Sequence, residues 1–283
     1  LLRSFAGFFL FFLLFVGLLI FIVPSSHQSS KISDKIRSVK KEKVTYVAIG
    51  DSLTQGVGDS SNQGGLVPAL SQALESDFNW QVTPRNYGIA GNTSNQILKR
   101  MQEKKDIKRD LKKAKLMTLT VGGNDVIHVI KDNITNLNVN TFSRAAVDYQ
   151  KRLRQIIELA RKENKTLPIY ITGIYNPFYL NFPEMTEMQT IVDNWNRSTE
   201  EVSKEYDNVY FVPVNDLLYK GINGKGGVTS SDETSQSTKS SQDSLNDALF
   251  EEDHFHPNNT GYQIMSNAIL KRINQTKKEW SGE

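Results

Sequence analysis

Apolar positions along the chain fall into three patterns. From Phe5 to Val23 they are nearly continuous, and no charged residue interrupts them. At ~1.5 Å per residue, such a run crosses the ~30 Å apolar core of a bilayer as a helix. A helix also satisfies its own backbone hydrogen bonds in lipid. Residues 1–24 are therefore expected to form a transmembrane anchor or uncleaved signal. A cleaved signal peptide has a shorter apolar core, ~7–15 residues, and a small-residue cleavage site. Pro24-Ser25-Ser26-His27 offers no such site. Residues 25–43 then turn polar and basic, with Lys31, Lys35, Arg37, Lys40, Lys41 and Lys43. They read as a solvated stalk with an attraction for anionic head groups.

Beyond residue 43 short apolar runs alternate with helical spacing. Val44–Ile49, Leu116–Val121, Leu167–Thr172 and Val209–Val214 are β-rich and almost wholly apolar. Trp80–Thr83 is a weaker run of the same kind. Strands of that composition suit a parallel sheet covered on both faces. Between them, Ala146, Tyr149, Leu153, Ile156, Ile157 and Ala160 share one helical face. Tyr262, Met265, Ile269 and Ile273 do the same near the end of the sequence. The alternation predicts right-handed crossovers and a three-layer α/β sandwich over 44–283. Residues 221–247, rich in Gly, Ser, Thr, Gln and Asp, read as an exposed polar insertion.

Composition narrows the function. The net charge is only +3, and much of the basic excess lies in the stalk, so no nucleic-acid partner is indicated. With no cysteine, thiolate nucleophiles, disulfides and Cys-ligated metals are excluded. The basic stalk by itself would favour the cytoplasmic side of a membrane. Large domains translocate largely regardless of charge, and an extracellular domain is expected.

Ligands of such sheets bind beyond the C-terminal ends of the strands. The first strand ends in Gly50-Asp51-Ser52-Leu53-Thr54-Gln55-Gly56. Ser52 at that turn is either an exposed nucleophile or a helix N-cap. The segment fits neither common phosphate-loop pattern. A serine nucleophile needs a base. Of the four histidines, His27 lies in the stalk and His128 on a helix after the third strand. His254 and His256 lie in Asp253-His254-Phe255-His256-Pro257-Asn258. Asp253 and His256 are three residues apart, so one tight turn brings them together. The carboxylate then holds one ring nitrogen and leaves the other to take the Ser52 proton. The alternative for this segment is a metal site on Asp253, His254 and His256, which lacks a further ligand cluster in the sequence. Acyl transfer also needs donors for an oxyanion. Gly88-Ile89-Ala90-Gly91-Asn92-Thr93 and Val121-Gly122-Gly123-Asn124-Asp125 follow the second and third strands and supply candidates. Each is also an ordinary glycine turn or helix cap.

Taken in order, Gly50-Asp51-Ser52-Leu53, Gly91-Asn92-Thr93, Gly122-Gly123-Asn124-Asp125 and Asp253-His254-Phe255-His256-Pro257 resemble the SGNH/GDSL hydrolase family. The resemblance runs from Val44 to the last helix. The likeness is to membrane-anchored or secreted lipase/acylhydrolase-like members from Gram-positive bacteria, which Gly173-Ile174-Tyr175-Asn176-Pro177-Phe178 also fits. It implies a flavodoxin-like three-layer α/β/α sandwich with a central parallel sheet. It implies Ser52 as nucleophile, His256 as base and Asp253 as its orienting acid. The implied oxyanion hole is the Ser52 N–H, the Gly91 N–H and the Asn124 side chain. An ester hydrolase of this kind needs no metal or organic cofactor. Its substrate would be an acyl ester of a lipid or of an acylated glycan. The same triad would serve an acyltransferase or a deacetylase of surface glycans. Tyr175 and Phe178 are candidate walls of the acyl site.

Overall fold

Nine consecutive residues, Glu42–Gly50, form the central strand β1. The computed structural model describes residues 40–133, 140–179, 186–220 and 248–282. The expected anchor, the stalk up to residue 39 and the 221–247 insertion lie outside them. Among the described residues no helix is long and apolar enough to cross a membrane. After β1 come α1 (Ser52–Gln55), α2 (Leu66–Asp77), β2 (Trp80–Gly88), α3 (Ser94–Glu103), α4 (Lys105–Leu111) and β3 (Ala114–Thr120). Then follow α5 (Gly123–Asp132), α6 (Thr141–Ala160), β4 (Ile169–Thr172), α7 (Thr186–Ser203), β5 (Val209–Val212), α8 (Asn215–Lys220) and α9 (Asn259–Trp280).

The strands pair in the order β2-β1-β3-β4-β5, and every pairing is parallel. Successive side chains on a strand point to opposite faces, so each strand feeds two cores. Val47, Ile49, Met117, Leu119, Ile169 and Ile171 pack under α3, α4, α6 and α7. Tyr46, Ala48, Leu116, Tyr170, Tyr210 and Val212 pack under α2 and α9. The expected faces of the two long helices are the ones buried. Tyr149, Leu153, Ile156, Ile157 and Ala160 line the first core, and Tyr262, Met265, Ile269 and Ile273 the second. Ala146 is only partly buried against the first.

Strand β2 runs further than its apolar signal. The expected Trp80–Thr83 continues through Pro84-Arg85-Asn86-Tyr87-Gly88. β2 is an edge strand with a largely exposed second half, so it needs neither apolar residues there nor every N–H in the ladder. In this order the chain turns from one side of β1 to the other, and the β1/β3 crevice is the switch point, the place where sheets of this kind hold their ligands.

The upper end of β1 is closed by a small buried polar knot. The Thr120 hydroxyl donates to Asp51 Oδ1 at 2.7 Å and accepts from the Asp51 N–H at 3.3 Å. The Thr54 hydroxyl lies 2.8 Å from Thr120 Oγ1. Gly50 passes directly beneath. A Cβ there would stand 2.2 Å from Thr120 Oγ1 and 2.5 Å from Thr54 Oγ1. Gly50→Ala is therefore expected to destabilise the domain by ~1–3 kcal/mol, the usual cost of overpacking. A urea unfolding midpoint equal to that of the wild type would refute this.

Candidate active site

Ser52 begins α1, but it does not cap it. The capping residue is Asp51, whose Oδ1 accepts the Leu53 N–H at 3.1 Å. The Ser52 hydroxyl is thereby left free of local backbone and turns toward the last loop of the chain. His256 Nδ1 lies 2.6 Å from Asp253 Oδ2, and His256 Nε2 lies 3.0 Å from Ser52 Oγ. An ionised carboxylate only accepts, so the Nδ1–H donates to Asp253. Nε2 of the neutral ring is then the acceptor for the Ser52 hydroxyl.

The Asp253–His256 turn is a tight loop, with His254 in the left-handed region at φ 49°. The free oxygen of Asp253 accepts the N–H groups of Phe255 and His256 at 2.9 and 3.0 Å. Burial pushes the Asp253 carboxyl upward, but the hydrogen bonds from the His256 ring and these two N–H groups outweigh it. The net result is a pKa below the ordinary carboxylate value. The loop is pinned at other points too. The Phe250 N–H donates to His256 O at 2.8 Å and the Asn258 N–H to Ala248 O at 3.0 Å. The Tyr175 hydroxyl donates to Phe255 O at 2.6 Å. Beside the loop, the Tyr262 hydroxyl donates to Val57 O at 2.5 Å and ties α9 to the turn after α1.

On the opposite wall, Asn124 follows β3 in the first turn of α5. Its Nδ2 donates to Asn92 O at 3.1 Å. An amide carries two N–H groups, so this bond uses one and leaves the second. Gly91, at φ 77°, sits on the rim loop beside Asn92 and outside the pocket wall. Three residues that sequence reasoning passed over fix this wall. Arg100 donates to Asn92 Oδ1 at 2.8 Å and to the carbonyls of Tyr87 and Gly50 at 3.0 Å each. Asp125 accepts from the Ser94 N–H at 2.8 Å and the Ser94 hydroxyl at 2.6 Å. Arg152 donates to Ser94 Oγ at 2.6 Å and Asp125 Oδ1 at 3.3 Å. Only the Asp125 position was hinted at, by its place next to Asn124.

Ser52 and Asn124 open into one small pocket of about 40 Å³. Its walls include Leu53, Val121, Ile127, Ile174, Tyr175 and Phe255. Burial pushes the Tyr175 hydroxyl far above its ordinary pKa, so it stays a neutral donor. Of the two candidate walls, Tyr175 lines the pocket. Phe178 does not; it lies one layer out, half-exposed, with its ring 6.4 Å from that of Phe255. A much larger depression of about 800 Å³ runs along β5 between α7 and α9. It shares no residue with Ser52, Asn124 or His256.

Comparisons with known proteins give the family and the fold. The sequence model of the GDSL-like lipase/acylhydrolase family matches residues 48–264. The uncharacterized protein YpmR of Bacillus subtilis is 31% identical over 264 residues, 93% of either chain. The spore germination lipase LipC of Bacillus licheniformis is 28% identical over 137 residues, 47% of this chain and 64% of that one. Among solved structures, the lipase Lip_vut3 from a goat rumen metagenome superposes with a TM-score of 0.65 at 22% identity. That match covers 81% of this chain and 96% of the other.

The loop after α1 backs His256 and carries its own charge lock. A Cβ at Gly58 would lie 2.5 Å from Pro257 O and 3.2 Å from His256 Cβ. Asp59 Oδ2 gathers the N–H groups of Gln63, Gly64 and Gly65 at 2.8–2.9 Å, and Oδ1 takes the Ser61 N–H and hydroxyl. Burial raises the Asp59 pKa, but these donors outweigh it and bring it down to about 2. An unfolded aspartate titrates near ~3.9. The stability it contributes is therefore complete above ~4 and is lost as pH falls through about 2. Acid titration of unfolding is expected to show wild type weakening between about pH 4 and 2. Asp59→Asn should be less stable at neutral pH and flatter across that window. Parallel curves would show that the loop is held by other means.

Proposed function

The chain belongs to the GDSL-like lipase/acylhydrolase family and is an ester-bond hydrolase, and on that premise we propose that it works through an acyl-enzyme on Ser52. His256 Nε2 takes the hydroxyl proton as Oγ bonds to the ester carbonyl carbon. The carbonyl electron pair moves to oxygen, where the Ser52 N–H, the Gly91 N–H and the spare Asn124 N–H receive it. As the C–O bond breaks, the His256 proton passes to the leaving alcohol. Water, deprotonated by the same nitrogen, then releases the acid and restores Ser52. Asp253 stays ionised throughout, because its hydrogen bonds hold its pKa below the ordinary value. It fixes the ring tautomer and stabilises the imidazolium between the two steps.

One observation carries this reading: the unbroken chain from Ser52 Oγ through His256 to Asp253, with links of 3.0 and 2.6 Å. The pocket adds a preference for acyl size. A water needs ~10–15 Å³ of such space, so 40 Å³ corresponds to about three waters, close to an acetyl group. Short acyl esters are the proposed substrates. The reading also includes the anchor: residues 1–24 hold the hydrolase domain at a membrane, on its outer side. The apolar run Phe5–Val23 supports that, and Lys31, Lys35 and Arg37 extend the basic stalk behind it.

Ser52→Ala is expected to lower kcat by ~10⁴ with unchanged folding, and to abolish labelling by a fluorophosphonate. Turnover equal to that of the wild type would end the proposal. Asp253→Asn should also lose most of kcat while leaving KM close to its original value. Across a series of acyl lengths on one alcohol, kcat/KM should fall about tenfold or more from acetyl to long chains, since overfilling a packed pocket costs ~1–3 kcal/mol. A maximum at long chains would show that the pocket walls open.

A further inference from the structure

The end of the sheet opposite Ser52 carries the most concentrated charge among the described residues. Because every strand is parallel, all strand starts share one edge. Helix α3 starts beside the site, and α4 follows it, packing Ile107 and Leu111 on the sheet face before β3 begins at that edge. Within residues 104–115 there are seven cations, Lys104, Lys105, Lys108, Arg109, Lys112, Lys113 and Lys115, against two acids, Asp106 and Asp110. Asp110 is buried beneath them, held by Arg109, Arg85 and the Tyr87 hydroxyl. Lys115 pairs with Glu42. Lys104, Lys105, Lys112 and Lys113 are exposed, with no acidic partner among the described residues. The exposed Lys41 and Lys43 enter β1 at the same edge and extend the surface.

We propose that this edge docks on an anionic phospholipid bilayer, and that the active site consequently opens away from the membrane that carries the protein. Clusters of four to eight Lys/Arg beside a membrane segment bind acidic lipid at ~1 kcal/mol per side chain near the surface. A bilayer fits better than a soluble polyanion because of continuity. Lys41 and Lys43 enter β1 at the strand-start edge, and the apolar run Phe5–Val23 precedes them in sequence. The fold then sets the height of the site. β1 spans Glu42–Gly50, and nine residues at ~3.3 Å each put roughly 25–30 Å between the patch and Ser52. Resting on the reading of Ser52 as nucleophile, this assigns the enzyme an ester carried by something that stands off the bilayer, such as an acylated polymer. The acyl chains of the supporting lipid are out of reach.

The test uses the full chain, which has no cysteine and so accepts a single introduced one. A donor dye is placed at Gln102→Cys, beside the patch, or at Gln63→Cys, in the loop after α1. The acceptor is a headgroup-labelled lipid in phosphatidylcholine vesicles with or without phosphatidylglycerol. With phosphatidylglycerol, transfer from 102 should clearly exceed transfer from 63. That contrast should be lost without the anionic lipid, in ~1 M salt where screening acts within ~3 Å, and in the variant K104E/K105E/K112E/K113E. Equal transfer from both positions on anionic vesicles, or a contrast that survives charge reversal, would overturn the proposal. So would tight binding to soluble polyphosphate with no contrast on vesicles. Hydrolysis of a soluble acetyl ester keeps the two proposals apart. The charge-reversed variant should retain it, and S52A should lose it while keeping the 102–63 contrast.

Discussion

The site depends on one contact, the 3.0 Å approach of His256 Nε2 to Ser52 Oγ, whose partners are 204 residues apart in sequence. A single hydrogen bond contributes only ~0.5–1.5 kcal/mol net, too little to hold a loop in place. The position of His256 must therefore be set by its surroundings. The loop is closed at its base by the Ala248–Asn258 and Phe250–His256 backbone bonds, braced from the pocket side by Tyr175 and backed by the Asp59-locked turn. Each brace acts on backbone rather than on the imidazole. The ring is aimed last, by Asp253, a residue of the same loop. The Ser52–His256 contact is thus a consequence of loop shape, which explains why so many backbone groups near it are spoken for.

On the other side of the pocket the same logic uses buried charge. Asp51 caps α1, and burial raises its pKa, opposed by the Thr120 hydroxyl and backbone donors. That capping is what frees the adjacent Ser52 hydroxyl, because a serine that caps its own helix would direct its oxygen into the backbone. Asp125 ties the start of α3 to the start of α5 through Ser94 and Arg152. Asn124 is thereby held against Asn92 on the neighbouring rim loop. A buried carboxylate without such donors would be costly. With them it becomes a rigid joint between elements that share no strand pairing.

The parts of this architecture legible in the sequence were those whose signal is local. Apolar runs located the strands, because a parallel sheet covered on both faces leaves few polar positions, such as Thr118, Thr120 and Thr172. Helical spacing in α6 and α9 named the buried faces. β2 was underestimated because its outer half is an exposed edge, where packing asks nothing of the side chains. Ser52, Asn124, Asp253 and His256 stood out through their ordered motifs. Whether Ser52 was a cap or a free hydroxyl could not be read locally, because the answer lies with Asp51 and with Thr120, 69 residues away. Arg100 and Arg152 looked like ordinary surface cations on amphipathic helices. Their role appears only when the carbonyls and carboxylates they bridge are brought together by tertiary packing. Phe178 was placed one layer too close, because aromatic composition does not distinguish a pocket wall from the residue supporting it.

Two further features constrain each other. The pocket beside Ser52 is small, which suits a short acyl group and gives a long chain no channel among the described walls. The lysines of residues 104–113 lie before β3, whereas Ser52 follows β1 at the other end of the strands, beside Asp51 and His256. A hydrolase of bilayer lipid would need the reverse of both: a long apolar groove, and a site at the surface that meets the head groups. On the proposed reading the parallel sheet acts as a spacer as well as a scaffold. The chain order that creates the switch-point crevice at one edge also places every strand start at the other. Attraction to an anionic surface and access to the ester therefore lie at opposite ends of β1, and one cannot be moved without redrawing the topology.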